Sequence, residues 1–133
     1  DELVQAYMAA DLFVFASNIE YSPLVLFESV AAGTPFLSVP VGNAEEIARW
    51  TGGGIICPAD KDERGYTRAA PTVLAHEIAK AIENPECLLA LGQAGHAAWR
   101  ERYTWDEIAT RYEAILRGVP VPVAQGKTAC TPV

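Results

Sequence analysis

The sequence predicts an α/β fold, a Rossmann-like parallel sheet flanked by helices. Short apolar runs mark the strands, and the first, Leu12-Phe13-Val14-Phe15-Ala16, has no polar alternation, as expected of a parallel strand covered on both faces. Segments of helical spacing lie between the runs. The order strand, helix, strand, helix, strand over so few residues implies βαβ units with right-handed crossovers.

Residues 2–10 place Leu3, Val4, Tyr7 and Met8 at helical spacing. The first strand follows, then a loop, Ser17-Asn18-Ile19-Glu20-Tyr21, at its carboxyl end. Ser22-Pro23 reads as an N-cap followed by proline at the first helical position. The next helix runs from Leu24 to Ala32 and is stopped by Gly33 and Pro35. Phe36-Leu37-Ser38-Val39 is the second strand. Asn43 with Glu46 forms an expected capping box for a short helix ending near Trp50. Thr51-Gly52-Gly53-Gly54 is a tight turn into the third strand, Ile55-Ile56-Cys57. It lacks the Lys-Ser/Thr that would make it a phosphate loop.

Asp60 to Ala70 reads as a polar, irregular surface loop. Leu74, Ile78 and Ile82 mark a helix closed by Asn84-Pro85, and Leu88, Leu89, Leu91 and Trp99 mark another, weakened by Gly92 and Gly95. Thr104 and Glu107 make a second capping box, opening a helix striped by Ile108, Tyr112, Ile115 and Leu116. Residues 118–133, rich in proline, read as a flexible tail, leaving residues 1–117 as the folded unit.

Half of the 133 residues are hydrophobic and 20% are charged, enough for a core and against global disorder. A net charge of −7 argues against nucleic acid or an anionic membrane surface as the main partner. The three cysteines make no zinc-like spacing, which suits reduced thiols and a cytoplasmic location. No apolar run reaches the ~20 residues of a membrane span, and no signal-peptide pattern opens the chain. Asp1 leads straight into a helix with no initiator Met, the expectation for a fragment.

The residue that carries chemistry is Glu28. Its helix is apolar nearly all round and so is expected to be buried. An ionised carboxylate there costs several kcal/mol, roughly, unless something bonds to it. Glu28 lies about one and a half turns in from Pro23, roughly 7–8 Å, and leans toward the helix amino end. That end offers unbonded N–H groups, the positive end of the helix dipole, and Glu20 in the preceding loop. It also lies at the carboxyl end of a parallel strand, where open α/β sheets bind ligands. Carboxylates for sugar hydroxyls and N–H groups for phosphate oxygens together suit a nucleotide-diphosphate sugar.

Glu20-Tyr21-Ser22-Pro23-Leu24-Val25-Leu26-Phe27-Glu28, continuing through Ser29-Val30-Ala31-Ala32-Gly33-Thr34-Pro35, resembles the Glu–seven residues–Glu motif of retaining family 4 glycosyltransferases (glycosyl transferases group 1). Tyr7-Met8-Ala9-Ala10-Asp11 is similar to the family's lead-in to the strand, and Gly42-Asn43-Ala44-Glu45-Glu46-Ile47 to its Gly-rich, Glu-Ile segment. Thr51 to Pro58 and Thr104-Trp105 are similar as well, so the resemblance covers about residues 1–117 in order. It implies half of the carboxyl-terminal, donor-binding domain of a GT-B enzyme. It also implies that Glu28 binds the nucleotide ribose and that Glu20 lies by the transferred sugar as the catalytic carboxylate. The N–H groups of Leu24 and Val25, with Ser22 beside them, would meet the diphosphate. No metal and retained anomeric configuration are implied too.

Two departures stand out. The family often has Gly-Phe-Gly after the first Glu, where this chain has Tyr21-Ser22-Pro23, and Pro23 has no N–H to donate. The family's diphosphate-neutralising Arg and Lys lie earlier in the domain than Asp1, and its acceptor domain is not in this sequence. The isolated chain is therefore expected to be inactive, and the parent to be cytoplasmic or peripheral at the inner membrane. The first strand, with its outer neighbours missing, is expected to leave an edge that a homodimer would hide.

Other readings remain open here. The chain could be a non-catalytic nucleotide-binding or interaction module, or part of a sugar-nucleotide epimerase of GT-B architecture. Glu28 could pair with Arg49, and Glu20 could be an ordinary loop charge. His76 and His96 read as solvated, Trp99 and Trp105 as packing anchors, and Glu45 and Glu46 as helix-start charges.

Overall fold

The computed structural model describes residues 1–120. Eleven elements follow one another: α1 (Glu2–Ala9), β1 (Phe13–Phe15), α2 (Leu24–Ala31), β2 (Phe36–Ser38), α3 (Ala44–Thr51), β3 (Gly54–Ile56), β4 (Asp60–Lys61), β5 (Thr67–Arg68), α4 (Pro71–Ile82), α5 (Pro85–Arg102) and α6 (Trp105–Leu116). Strands β1, β2 and β3 form one parallel sheet in that order, with Phe13 opposite Phe36 and Phe36 opposite Gly54. The expected α/β architecture is present, with the third strand starting one residue earlier than its apolar run suggests.

Strand β2 is wholly buried because both faces are covered. Phe36 points to one side, where Leu26 and Val30 of α2 and Ala44 and Ile47 of α3 meet it. Leu37, next along the pleat, points to the other, with Val39, Val41, Cys57 and the α4 residues Leu74 and Ile78. β1 lies at an edge of the sheet, and Val14 is 38% exposed.

Helix α5 runs unbroken through Gly92 and Gly95, the two residues expected to weaken it. Both are contact points. A Cβ at Gly92 would run into the carbonyl oxygen of Gly33, and one at Gly95 would stand 2.8 Å from Val30 Cγ1 and 3.0 Å from Gly53 Cα. Their lack of side chain lets α5 lie directly on the end of α2 and the turn before β3. The intrinsic helix penalty of glycine, ~1 kcal/mol, is outweighed by that close packing.

Several local expectations are corrected. Asp60 to Ala70 is not irregular: β4 and β5 pair antiparallel, with Asp60 opposite Arg68 and Lys61 opposite Thr67. The turn is organised by Asp62, whose Oδ1 accepts the N–H groups of Arg64 and Tyr66, each at 2.9 Å. His96 is half-buried and its Nδ1 lies 2.9 Å from the Ala31 carbonyl, where it meets the carboxyl end of α2. His76 is exposed, as expected. Trp99 packs against the core, but Trp105 is 84% exposed. Thr104 Oγ1 accepts the Glu107 N–H at 3.3 Å, the expected cap, yet α6 buries none of its residues. The tail assigned to residues 118–133 lies, from residue 121 on, outside the described residues. Among the described residues no helix is long and apolar enough to cross a membrane.

Candidate functional site

The loop after β1 is fixed by backbone bonds on both flanks of Ile19-Glu20. The Thr67 N–H of β5 donates to the Asn18 carbonyl at 2.9 Å, and the Asn43 N–H donates to the Tyr21 carbonyl at 3.2 Å. Within the loop, Ser17 Oγ donates to the Ile19 carbonyl at 3.1 Å. Gly42 makes the second bond possible. Its φ of +54° is left-handed, and a Cβ there would lie 2.6 Å from the Tyr21 oxygen and 2.9 Å from the Glu20 oxygen. Glu20 is half-buried in this loop, and Tyr21 beside it is 91% exposed.

Helix α2 starts at Leu24 rather than at Pro23. Pro23 is the N-cap, with extended φ and ψ of −72° and 100°. Ser22 therefore stands one residue outside the cap, exposed, and does not serve as the N-cap. Among the described residues no side chain caps this helix, and its first bond runs from the Leu26 N–H to the Pro23 carbonyl at 3.2 Å. The N–H groups of Leu24 and Val25 stand ahead of that bond, at the positive end of the helix dipole. The analogous capping box at α3 also fails to form. Asn43 is in N-cap position, but its φ and ψ of −104° and 27° are not the extended values that aim a side chain at the helix. Its Oδ1 is buried with no hydrogen-bond partner among the described residues.

Glu28 is not buried, which corrects the desolvation argument made from its apolar neighbours. Leu26, Ser29 and Val30 of α2 are fully buried and Val25 and Phe27 are packed against the core from its margin, while Leu24 and Glu28 are exposed. An eight-residue helix covered on one side leaves apolar residues on its other side in the open, and their apolarity says nothing about burial there. That open side borders a cleft of about 390 Å³, in which Leu24, Phe27 and Glu28 face Trp99, Tyr103 and Trp105. The ring of Phe27 lies 4.9 Å from that of Tyr103. Glu28 makes no ion pair with Arg49 or any other cation among the described residues.

Glu28 does have one protein partner. Tyr7 Oη of α1 donates to Glu28 Oε2 over 3.4 Å. The tyrosine is held from two sides: its ring packs edge-on against Phe13 at 5.2 Å, and its carbonyl accepts the Thr34 hydroxyl at 2.5 Å. Burial, and then the Glu28 charge, push the Tyr7 phenol above its ordinary pKa. Sequence reading takes Tyr7 as an apolar helical position and as part of the family-like lead-in to the first strand, and gives it no partner, since no spacing rule connects residues 7 and 28. The tertiary fold brings Tyr7 of α1 to Glu28 of α2 beside Phe13 of β1.

The chain resembles known proteins along this same stretch. The family model described as "Glycosyl transferases group 1" matches residues 1–85, which include the sheet, Glu20 and Glu28. A D-inositol 3-phosphate glycosyltransferase of Segniliparus rotundus is 32% identical over 121 residues, 88% of this chain and 25% of that protein. The N-acetyl-alpha-D-glucosaminyl L-malate synthase of Bacillus anthracis is 25% identical over 119 residues, 90% of this chain and 29% of that protein. The chain thus spans about a quarter of the length of these curated relatives. Among solved structures, the sucrose-phosphate synthase of Thermosynechococcus elongatus superposes with a TM-score of 0.68 at 24% identity, covering 88% of this chain and 27% of that one, a likeness of fold. With its parallel sheet, its ordered Glu20 and Glu28 segment and a family match over most of its length, this chain belongs to the glycosyl transferases group 1 family, of GT-B type.

Proposed function

We propose that this chain is the part of a retaining glycosyltransferase that holds a nucleotide-diphosphate sugar. In this reading Glu28 accepts hydrogen bonds from the ribose hydroxyls and Glu20 stands by the transferred sugar. The N–H groups of Leu24 and Val25 meet the diphosphate, with Ser22 beside them. The observation that carries the reading is the uncapped amino end of α2, which adjoins the clamped Glu20 loop at the carboxyl end of a parallel strand. Anionic ligands favour helix amino ends, and open α/β sheets bind at this edge. Exposure of Glu28 suits the role, because a ribose must be able to reach it. In this reading the N–H groups and the helix dipole are the anion-stabilising elements, and no metal takes part.

Transferase turnover demands stabilisation of the departing diphosphate and a bound acceptor, neither of which this chain is equipped to supply alone. The 133-residue chain is accordingly expected to bind donor weakly and to show no transfer. The edge of β1, unpaired among the described residues and beside a cleft of about 610 Å³ lined by Leu12, Val14, Ile82 and Leu89, would be covered by a second copy in the isolated chain. Sedimentation that gives a monodisperse monomer at high concentration refutes that pairing. The donor reading is tested by titrating the chain, and Glu28→Gln, with uridine, guanosine and adenosine diphosphate-sugars under NMR. Shifts at the Leu24, Val25 and Glu20 amides that weaken in Glu28→Gln support it. Absence of binding by all three classes, or binding indifferent to Glu28→Gln, overturns it.

A further inference from the structure

We infer that the β4–β5 hairpin is a clasp for the Glu20 loop, with Thr67 as the positioning residue. The inference rests on the donor-site reading for its functional meaning, but its physical content concerns the loop itself.

Two bonds from outside hold the loop, one on each flank of Ile19-Glu20. The Asn43 N–H, from the turn before α3, holds the Tyr21 carbonyl, and the Thr67 N–H, from β5, holds the Asn18 carbonyl. Thr67 is 2% exposed, and its hydroxyl lies 3.5 Å from the Pro40 carbonyl at the end of β2. One residue of the hairpin thus touches two of the connections that leave the carboxyl end of the sheet, those after β1 and β2. The hairpin is stiffened at its far end, where Asp62 accepts the Arg64 and Tyr66 N–H groups and meets the Arg68 Nε at 3.3 Å. The Asp62 N–H also donates to the Tyr66 carbonyl at 2.9 Å. The turn that fixes the hairpin is therefore separate from the residue that grips the loop. A loop held on one flank only would sample other placements of Glu20, and a ligand that needs one placement binds in proportion to its population.

The test uses three variants of the full chain. Thr67→Pro removes the N–H. Thr67→Val keeps the N–H and loses the hydroxyl. Asp62→Ala loosens the hairpin without altering the gripping residue, and it serves should Thr67→Pro fail to fold. In the ligand-free chain, hydrogen exchange at the Asn43 amide, which is bonded to the Tyr21 carbonyl of the loop, is expected to quicken in Thr67→Pro, and less so in Asp62→Ala. It should stay as in the parent in Thr67→Val, and the β1–β3 amides should be unmoved in all three. Exchange at Asn43 that is unchanged in both Thr67→Pro and Asp62→Ala overturns the clasp, as does acceleration spread evenly over β1–β3. With uridine diphosphate-glucose as probe, the dissociation constant is expected to rise about fivefold in Thr67→Pro, the effect of one net backbone hydrogen bond, with Thr67→Val near the parent. Parent binding unaffected by Thr67→Pro also refutes the clasp. A parent chain that binds no nucleotide sugar refutes the donor reading instead, and the exchange data still decide the clasp.

Discussion

Replacing Gly92 by alanine separates helix propensity from packing, because the two predict opposite signs. Gly92 lies inside α5, where alanine is intrinsically better by ~1 kcal/mol. On propensity alone, Gly92→Ala would stabilise the fold. The structure argues otherwise, since the new Cβ would be driven into the Gly33 carbonyl, with Pro35 Cδ at 3.4 Å alongside. That carbonyl is backbone and cannot step aside as a flexible side chain would. Gly33 has a φ of +83°, and its N–H is bonded to the Val30 carbonyl at 3.1 Å. Helix α5 must back away from α2 instead, weakening contacts along their shared surface. Overpacking of this kind costs about 1–3 kcal/mol, and against unyielding backbone the upper end applies. After the propensity gain, a net loss of about 2 kcal/mol remains. Unfolding entropy scales with chain length, so for 133 residues this is a drop of about 7 °C in Tm. Ala97→Gly, at an exposed position of the same helix, calibrates the propensity term with an expected drop of about 4 °C. Calorimetric or circular-dichroism melts of both variants suffice. A Gly92→Ala protein melting above the parent would refute the close-packing argument.

Gly42→Ala should displace the Glu20 loop, since the position demands positive φ and leaves no room for a Cβ beside the Tyr21 and Glu20 carbonyls; a loss of about 1–3 kcal/mol is expected, with amide shifts concentrated at Glu20, Tyr21 and Asn43. Glu28→Gln should lower the Tyr7 phenol pKa while leaving it above the ordinary value, because burial, the larger cause, remains; an NMR titration of the tyrosine ring signals reads this directly, and an unmoved Tyr7 would break the proposed Tyr7–Glu28 link. The N–H of Tyr66, helped by that of Arg64 and the Arg68 guanidinium, holds the Asp62 carboxyl below its ordinary pKa. A depressed carboxyl stabilises the fold above its unfolded value, so the hairpin should loosen as pH falls below about 4, with the Arg64 and Tyr66 amide shifts following. The same shifts should be insensitive to pH in that range in Asp62→Asn.

Much of the fold was readable in the sequence because its signals are local. Phe13-Val14-Phe15 and Phe36-Leu37-Ser38 became strands, and helices filled the gaps with Thr104 capping where its spacing to Glu107 indicated. The Glu20 and Glu28 segment was equally legible as a linear pattern, one the family match covers. The burial of Glu28 was not legible. Apolar neighbours on a helix report how many faces are apolar, not how many are covered, and α2 has an uncovered side. The same gap between pattern and packing misjudged Trp105, the glycines of α5 and His96, whose roles depend on which helix lies opposite. Side-chain capping failed at Ser22 because α2 starts one residue later, leaving Pro23, which has no side-chain acceptor, at the N-cap, and at Asn43 because its backbone is not extended. The sequence by itself determined where most strands and helices lie. Only the tertiary structure decided what touches them. Tyr7 at Glu28, Gly42 beneath Glu20 and Thr67 at Asn18 are contacts between residues far apart in the chain, and long-range packing carries no local signature.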